Sequence, residues 1–351
     1  MTSATDRPRE PVRRRSATRS VTLRDVAEQA GVSAQTVSRV LRVPEEVTAV
    51  TRARVERAIQ ECGYVPNLAA RNLASNRSKI VATVIPSLSA SIFSETLTGL
   101  SSVFSPAGYQ LLLGYTDYDD QMEEDVIRSL LGRRPDGFVM TGAVHRESVV
   151  RMLRASGVPV VETWDWTADP VDLLVGFSNE DAMHAMVAHL YAAGYRTPCF
   201  VGSLLPGDHR SLRRLSGYRR AVAELWPGTE PRVVDAAPHP LTLSSGAELL
   251  DVARQSFPEA DVLVFSTDVY AGGALLAASA QGLRVPEDIA ITGFGDFELS
   301  GMLRPGLTTV TLPNATIGRE AAHLLLDKMR GNQPERSVVD LGFTIRSRGS
   351  A

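Results

Sequence analysis

The stretch AEQAGVSAQTVSRVL, residues 27–41, is two short amphipathic segments joined at Gly31. Just upstream, Thr22 and Asp25 have the spacing of a capping box, in which a hydroxyl and a carboxylate satisfy the orphan amides of a helix start. A first helix is expected to run to about Ala30, where Gly31 supplies a permissive stop. Ser33 can cap a second helix, and Val32 with Val37 has the spacing of a hydrophobic staple across its start. Val26, Ala27 and Ala30 on the first helix, with Val37, Val40 and Leu41 on the second, recur at helical spacing and read as core. Ala34, Gln35, Ser38, Arg39 and Arg42 remain outside, and Gln35 and Arg39, one turn apart, share a face. Gln pairs with adenine and Arg with guanine in a major groove, and a good bidentate contact is worth ~1–3 kcal/mol of discrimination.

Working outward, a third helix is expected from Thr48 to Gly63, with Val55 and Ile59 closing a three-helix bundle. Pro66 forces an extended residue before it, and Asn67 is placed to cap LAARNLAS. Two turns are too few for a stable helix in water, so this segment would fold only against a partner.

At 351 residues with 44% hydrophobic content, the chain is long enough for two or three domains with proper cores. No run approaches the length of an apolar membrane span, and the N-terminus is RPREPVRRRSATRS; the chain reads as soluble and cytosolic, with no membrane partner. Cys62 and Cys199 lack any paired spacing and read as small core residues. The net charge of -3 is uneven. Residues 1–19 hold six Arg against Asp6 and Glu10, a net of +4, and residues 20–79 hold nine Arg and Lys against six acids, a net of +3. The remainder is therefore at -10. A basic front on an acidic body suits a polyanion-binding head, although a solvated surface explains charge alone equally well.

From residue 80 the pattern changes. IVATVIP, YQLLLGY, DGFVMTG, VPVVET, TPCFVGS, DVLVFST and DIAITGF read as strands, with helices such as 119–132, 180–193, 211–225, 246–257 and 269–280 between them. Such alternation predicts an α/β body of parallel sheets covered on both faces, and its length demands two sheets.

VTLRDVAEQAGVSAQTVSRVL followed by GYVPNLAARNLAS resembles the headpiece and hinge of the LacI/GalR family of bacterial transcription regulators. The resemblance extends from about residue 21 to 347, and IPSLSASIFSETLTGL, GYQLLLGY, PVVETWDW and VVDLGFT look most like the gluconate-operon repressors within it. It implies a disordered basic tail over 1–20, a helix-turn-helix domain over 21–66 and a hinge helix over 67–78. A two-subdomain, periplasmic-binding-protein-like core over 79–347 would follow, divided into 79–176 plus 314–336, and 177–310 plus 337–347. By the same resemblance Ala34, Gln35 and Arg39 would read base edges, with the Ser33 and Thr36 hydroxyls on phosphate and Thr22 and Ser38 also among the DNA-binding positions. Leu73 would wedge into the minor groove beside its two-fold mate, with Asn67 and Ala70 lining the approach.

For a small-molecule effector, a sugar acid or a phosphorylated sugar, the resemblance implies loops at the carboxyl ends of the strands. Phe93 and Glu95 would follow the first strand, Thr141 and His145 the third, and Trp164 and Asp165 the fourth. Phe177 would sit at the crossing, with Arg214, Thr267, Asp268, Gly295 and Asp296 from the second half. A guanidinium at Arg214 can hold a carboxylate or phosphate in bidentate fashion, while Arg210, Arg213, Arg219 and Arg220 around it suggest a plain solvated basic face. Thr267 and Gly295 depart from the side chains common in relatives at those positions, and Trp164 adds bulk, so the ligand could differ from gluconate. His145 is the one histidine expected near the cleft.

Phosphate-binding, nucleophile-elbow and zinc-protease motifs are all missing, so no enzyme, cofactor or metal is expected. DYDD, residues 117–120, lacks the glycine and terminal glutamate of a calcium loop and reads as a helix cap. The expectation is a homodimeric repressor on a pseudopalindromic double-stranded operator under effector control. A sugar receptor of a transport system shares the two-lobed clamp but would carry a secretion signal and no basic head. An activator or dual regulator would share the DNA contacts.

Overall fold

A computed structural model of the chain describes residues 21–65, 77–88 and 91–351. The expected tail over 1–20 lies outside the described residues, as do hinge residues 66–76, which include Asn67, Ala70 and Leu73. Two compact units divide near Asn76.

In the first unit α1 (Leu23–Ala30) begins with both halves of a capping box: the Asp25 amide donates to Thr22 Oγ1 at 3.4 Å and the Thr22 amide donates to Asp25 Oδ2 at 2.7 Å. Gly31 ends it at φ 60°, a left-handed conformation open to glycine at no steric cost. Ser33 caps α2 (Ala34–Arg42) by accepting from the Thr36 amide at 3.1 Å, and Thr48 caps α3 (Ala49–Cys62). Val26, Val37 and Val55 are fully buried at the centre, surrounded by Ala27, Ala30, Val40 and Ala58, with Ile59 partly buried against them.

The second unit alternates strand and helix. Its first sheet takes β1 (Ile80–Ile85), β2 (Gln110–Tyr115), β3 (Gly137–Thr141), β4 (Val160–Thr163) and β5 (Leu173–Gly176), connected through α4 (Ser94–Phe104), α5 (Asp120–Leu131) and α6 (Glu147–Ser156). After α7 (Asn179–Ala193) the second sheet begins with β6 (Pro198–Gly202), α8 (His209–Leu225), β7 (Arg232–Asp235) and α9 (Leu243–Ser256). It continues with β8 (Val262–Phe265), α10 (Asp268–Ala280), β9 (Ala290–Gly295) and β10 (Thr308–Thr311). The chain finishes with α11 (Asn314–Met329), β11 (Val338–Asp340) and β12 (Thr344–Arg346).

Spatial order is β11-β5-β4-β3-β1-β2 in one sheet and β12-β10-β9-β8-β6-β7 in the other. Every pairing is parallel except β10 with β12. β4 and β8 are buried along their whole length, as strands covered on both faces must be. α11 returns to the first sheet, where Ala321, Ala322, Leu325 and Leu326 pack with Val81, Val139 and Val161.

One expected boundary needs correction. The span 337–347, assigned to the second subdomain, is shared: β11 pairs with β5 in the first sheet, Val338 opposite Leu174, and only β12 joins the second. Gly342 at φ 62° separates β11 from β12, and the chain changes lobes there. Among the described residues no helix is long and apolar enough to cross a membrane.

Candidate functional sites: an exposed helix face and a charged cleft

In the head, burial of Val37 and Val40 turns the opposite side of α2 outward. Ala34, Gln35 and Arg39 are exposed there, and the side chains of Gln35 and Arg39 have no hydrogen bond or ion pair to a described residue. Thr36 and Ser38 are half-buried beside them. The Ser33 hydroxyl, besides capping, lies 2.9 Å from Thr36 Oγ1. The Thr22 hydroxyl is taken up internally, donating to Asp25 Oδ2 at 2.7 Å.

In the body, a cleft of about 280 Å³ opens beyond the carboxyl ends of both sheets. β1 and β6 each stand between neighbours whose connections run in opposite directions, and ligands of open α/β sheets bind at such switch points. Ser87 follows β1, Asp117 and Tyr118 follow β2, and Ser266 and Thr267 follow β8, all reaching the cleft. Asp117 and Tyr118 both hold positive φ, 49° and 60°, which bends their loop inward. From the other lobe Gly207 meets it so closely that a Cβ there would stand 1.9 Å from the Tyr118 carbonyl oxygen.

α8 supplies the charge. Its buried stripe of Leu215, Tyr218, Ala221 and Val222 extends at helical spacing back through Arg214, Ser211 and Arg210, so two guanidiniums continue an apolar face into the cleft. Arg214 is 9% exposed; its Nε donates to Asn179 Oδ1 at 2.8 Å and its Nη1 to the Ser266 carbonyl at 2.6 Å. It stacks 3.8 Å from the Phe294 ring centroid. Burial, reinforced by the Arg210 charge, pulls its pKa down to about 9. Arg210 is 7% exposed and lies over the rings of Phe93 and Trp164, a cation–π arrangement. Asp208, the N-cap of α8, accepts from the Ser211 amide at 3.2 Å. Burial raises its carboxyl pKa against the pull of Arg210 and Arg214. Burial and the Asp208 charge push the Tyr118 phenol up to about 12.

Of the expected effector residues, Trp164, Arg214, Thr267 and Gly295 line this cleft. Phe93 and Phe177 pack behind Trp164, at ring separations of 5.1 and 6.3 Å, and do not line it. Trp164 is anchored by its indole N–H, which donates to Thr96 Oγ1 at 3.0 Å. Asp165 is also one layer back, accepting from Asn179 Nδ2 at 3.2 Å and pairing with Arg213 at 3.4 Å; it steadies the partner of Arg214.

The others are placed elsewhere. Asp296 pairs with Arg348 at 2.6 Å and Arg346 at 3.3 Å and accepts from Thr311. Asp268 accepts from Thr309, Ser300 and the Phe297 amide, which ties α10 to the following loops. Glu95 faces a neighbouring groove with Leu243 and Met302, and Thr141 faces a small side pocket with His209. His145 is buried between two carboxylates, Nδ1 at 2.8 Å from Glu123 Oε1 and Nε2 at 3.3 Å from Glu162 Oε1, the latter too poorly aligned for a good hydrogen bond. Burial lowers its pKa, but Glu123 and Glu162 outweigh that and push it up to about 10. The histidine at the cleft is instead His239, from the loop after β7. Asp119, within DYDD, caps α5 by accepting from the amides of Gln121 and Met122.

Sequence reasoning therefore missed Tyr118, Asp208, Arg210 and His239. The i, i+4 relation of Arg210 to Arg214, in line with the apolar stripe that follows, was the available signal; the surrounding arginines masked it.

A three-helix head with an outward polar face on α2, ahead of a two-lobed body with a charged cleft, fits the class of DNA-binding regulators. Residues 22–67 match the model of bacterial regulatory proteins of the lacI family, and residues 187–351 match a periplasmic binding protein-like domain. The HTH-type transcriptional regulator GntR of Pseudomonas aeruginosa is 39% identical, over 94% of this chain and 95% of its own. A LacI-family regulator from Silicibacter pomeroyi superposes with a TM-score of 0.87 at 37% identity, covering 94% of this chain and 99% of that one. The Lac repressor dimer bound to operator and an anti-inducer superposes at 0.77 with 26% identity, covering 95% and 99%. The chain belongs to the LacI family of DNA-binding transcriptional regulators.

Proposed function

We propose that the protein is a cytoplasmic repressor that binds a pseudopalindromic operator as a homodimer and responds to an anionic sugar derivative of the gluconate type. The observation that carries this reading is the pairing of an unoccupied outward face on α2 with two buried guanidiniums in the interlobe cleft. Gln35 and Arg39 would contact base edges, Ala34 would offer a methyl to a thymine, and the Ser33, Thr36 and Ser38 hydroxyls would meet phosphate. Leu73 would wedge into the minor groove at the dyad, with Asn67 and Ala70 lining the approach. Within the cleft Arg214 and Arg210 would take the anionic group, Trp164 would stack on the carbon chain, and Thr267 with Ser87 would meet hydroxyls.

The lobes exchange the chain at Phe177, between β10 and α11, and at Gly342, so a ligand gripped by both can shift their relative angle. A coupling of roughly 1–3 kcal/mol between effector and operator is typical of such linkage. The test is retardation of upstream duplexes by the full-length protein at physiological salt, with and without gluconate. Selective retardation that gluconate alters supports the reading; equal binding to all duplexes overturns it.

A further inference from the structure

The fixed charges of the cleft distinguish between two kinds of anion. Three charged side chains stand inside it: Arg210 and Arg214, buried on the inner stripe of α8, and Asp208, half-buried at the helix start. Asp117 stands exposed at the mouth, where water screens it. His239 is held by Glu248 at 3.0 Å, and directly behind the cleft Asp165 and Arg213 offset each other. Tyr118 stays a neutral phenol at physiological pH. These three side chains therefore sum to one positive charge when Asp208 is ionised.

We propose that Asp208 is a specificity-determining residue of the cleft: its carboxylate balances one of the two guanidiniums, so that the site admits a sugar monoanion, such as an aldonate carboxylate, and disfavours phosphate or sulfate dianions. The proposal rests on the reading of the cleft as the effector site. A monoanion neutralises the remaining charge and can use the N–H groups of Arg214 not spent on Asn179 and Ser266. A dianion leaves a surplus negative charge beside Asp208, in surroundings where burial already works against its ionised form. The Asp208 carboxylate bonds through Oδ1, which accepts from the Ser211 amide, so its position follows from the helix start and not from an ion pair.

Titration calorimetry on the full-length protein tests this with D-gluconate, 6-phosphogluconate and sulfate, which is a dianion throughout the working pH range and small enough to fit wherever a carboxylate fits. Asp208→Asn and Asp208→Ser both remove the charge and retain a side chain that caps helices well. Wild type should prefer gluconate to 6-phosphogluconate by about tenfold or more and resist sulfate competition; both variants should narrow that preference by about tenfold and become sulfate-sensitive. An unchanged preference in the two variants, or equal affinities in wild type, overturns the proposal while leaving the cleft as the effector site. Failure of every sugar acid to bind wild type, with operator binding intact, overturns the effector reading and this proposal together.

Discussion

The head and the body present polar chemistry in opposite ways. On α2 the side chains assigned to base reading, Gln35 and Arg39, are exposed and without a side-chain partner among the described residues, held in position by the burial of Val37 and Val40 beneath them. In the cleft Arg210 and Arg214 are buried against aromatic rings, and Arg214 is held by partners from other segments, Asn179 and Ser266. An exposed face can be changed one residue at a time with little effect on folding. A buried polar cluster cannot, because removing one member leaves another unsatisfied.

The largest expected effect falls on a buried charge in the body. His145 has its pKa raised from the ordinary 6.5 to about 10 by Glu123 and Glu162. A group whose folded pKa is raised contributes stability that is complete below the unfolded pKa and is lost as pH rises through the folded one. Body stability should therefore fall between about pH 6.5 and 10, by on the order of 3–5 kcal/mol from this residue, at about 1.4 kcal/mol per pKa unit. Urea unfolding of wild type and His145→Gln across that range measures it. The variant should show a much flatter dependence, and parallel curves would mean that the imidazole is buried neutral.

Next in size is Arg214→Ala, which empties part of the cleft and leaves Asn179 Oδ1 without its donor. Loss of a buried charge partner typically costs about 2–5 kcal/mol in binding, so effector affinity should fall by at least thirtyfold while DNA retardation without effector persists. Arg214→Lys should not restore it, since an ammonium cannot reach Asn179, the Ser266 carbonyl and a ligand together. Wild-type effector response in Arg214→Ala would remove this residue from the site.

This contrast also explains what could be read in advance. Helical spacing alone placed Val26, Val37 and Val55 in the core and Gln35 and Arg39 outside, because every relevant contact lies within a few turns. Apolar runs located β1, β2, β3, β4, β6, β8 and β9, whereas β7 (RVVD) and β10 (TTVT) carry too few apolar residues to stand out as runs, and β5 (LLVG) was not read as a strand. In the cleft, proximity to a strand end was legible but direction was not. Asp296 and Asp268 follow strands as expected, yet Arg348 and Thr309, dozens of residues away in sequence, engage their carboxylates. Arg210 was hidden for the converse reason: it resembles the solvated basic run around it, and only the tertiary packing of α8 distinguishes inner from outer arginines, while Asp208 reads in sequence as a plain helix cap.

On the exposed face, Gln35→Ala and Arg39→Ala should each reduce discrimination between operator and mutated operator by ~1–3 kcal/mol, without altering effector affinity. Retardation on operators substituted one base pair at a time checks this. Losses confined to one position per residue support base reading; a uniform loss across sequences assigns the side chain to phosphate instead.

The smallest effect separates structure from recognition at Thr22, whose position suits either a helix cap or a phosphate contact. Its hydroxyl donates to Asp25 and accepts from the Asp25 amide, so both of its obvious capacities are used within α1. Thr22→Ala should cost about 1 kcal/mol of head stability, the usual value of an N-cap, and leave the salt dependence of operator binding unchanged. Ser33→Ala should lose a similar cap and, if its hydroxyl also meets phosphate as proposed, weaken binding evenly across operator sequences. Thermal unfolding together with retardation over a salt series resolves the two. A Thr22→Ala variant that keeps its stability but binds DNA with a shallower salt slope would show that Asp25 releases the hydroxyl to the backbone of the operator, and that the exposed face of the head begins one helix earlier than α2.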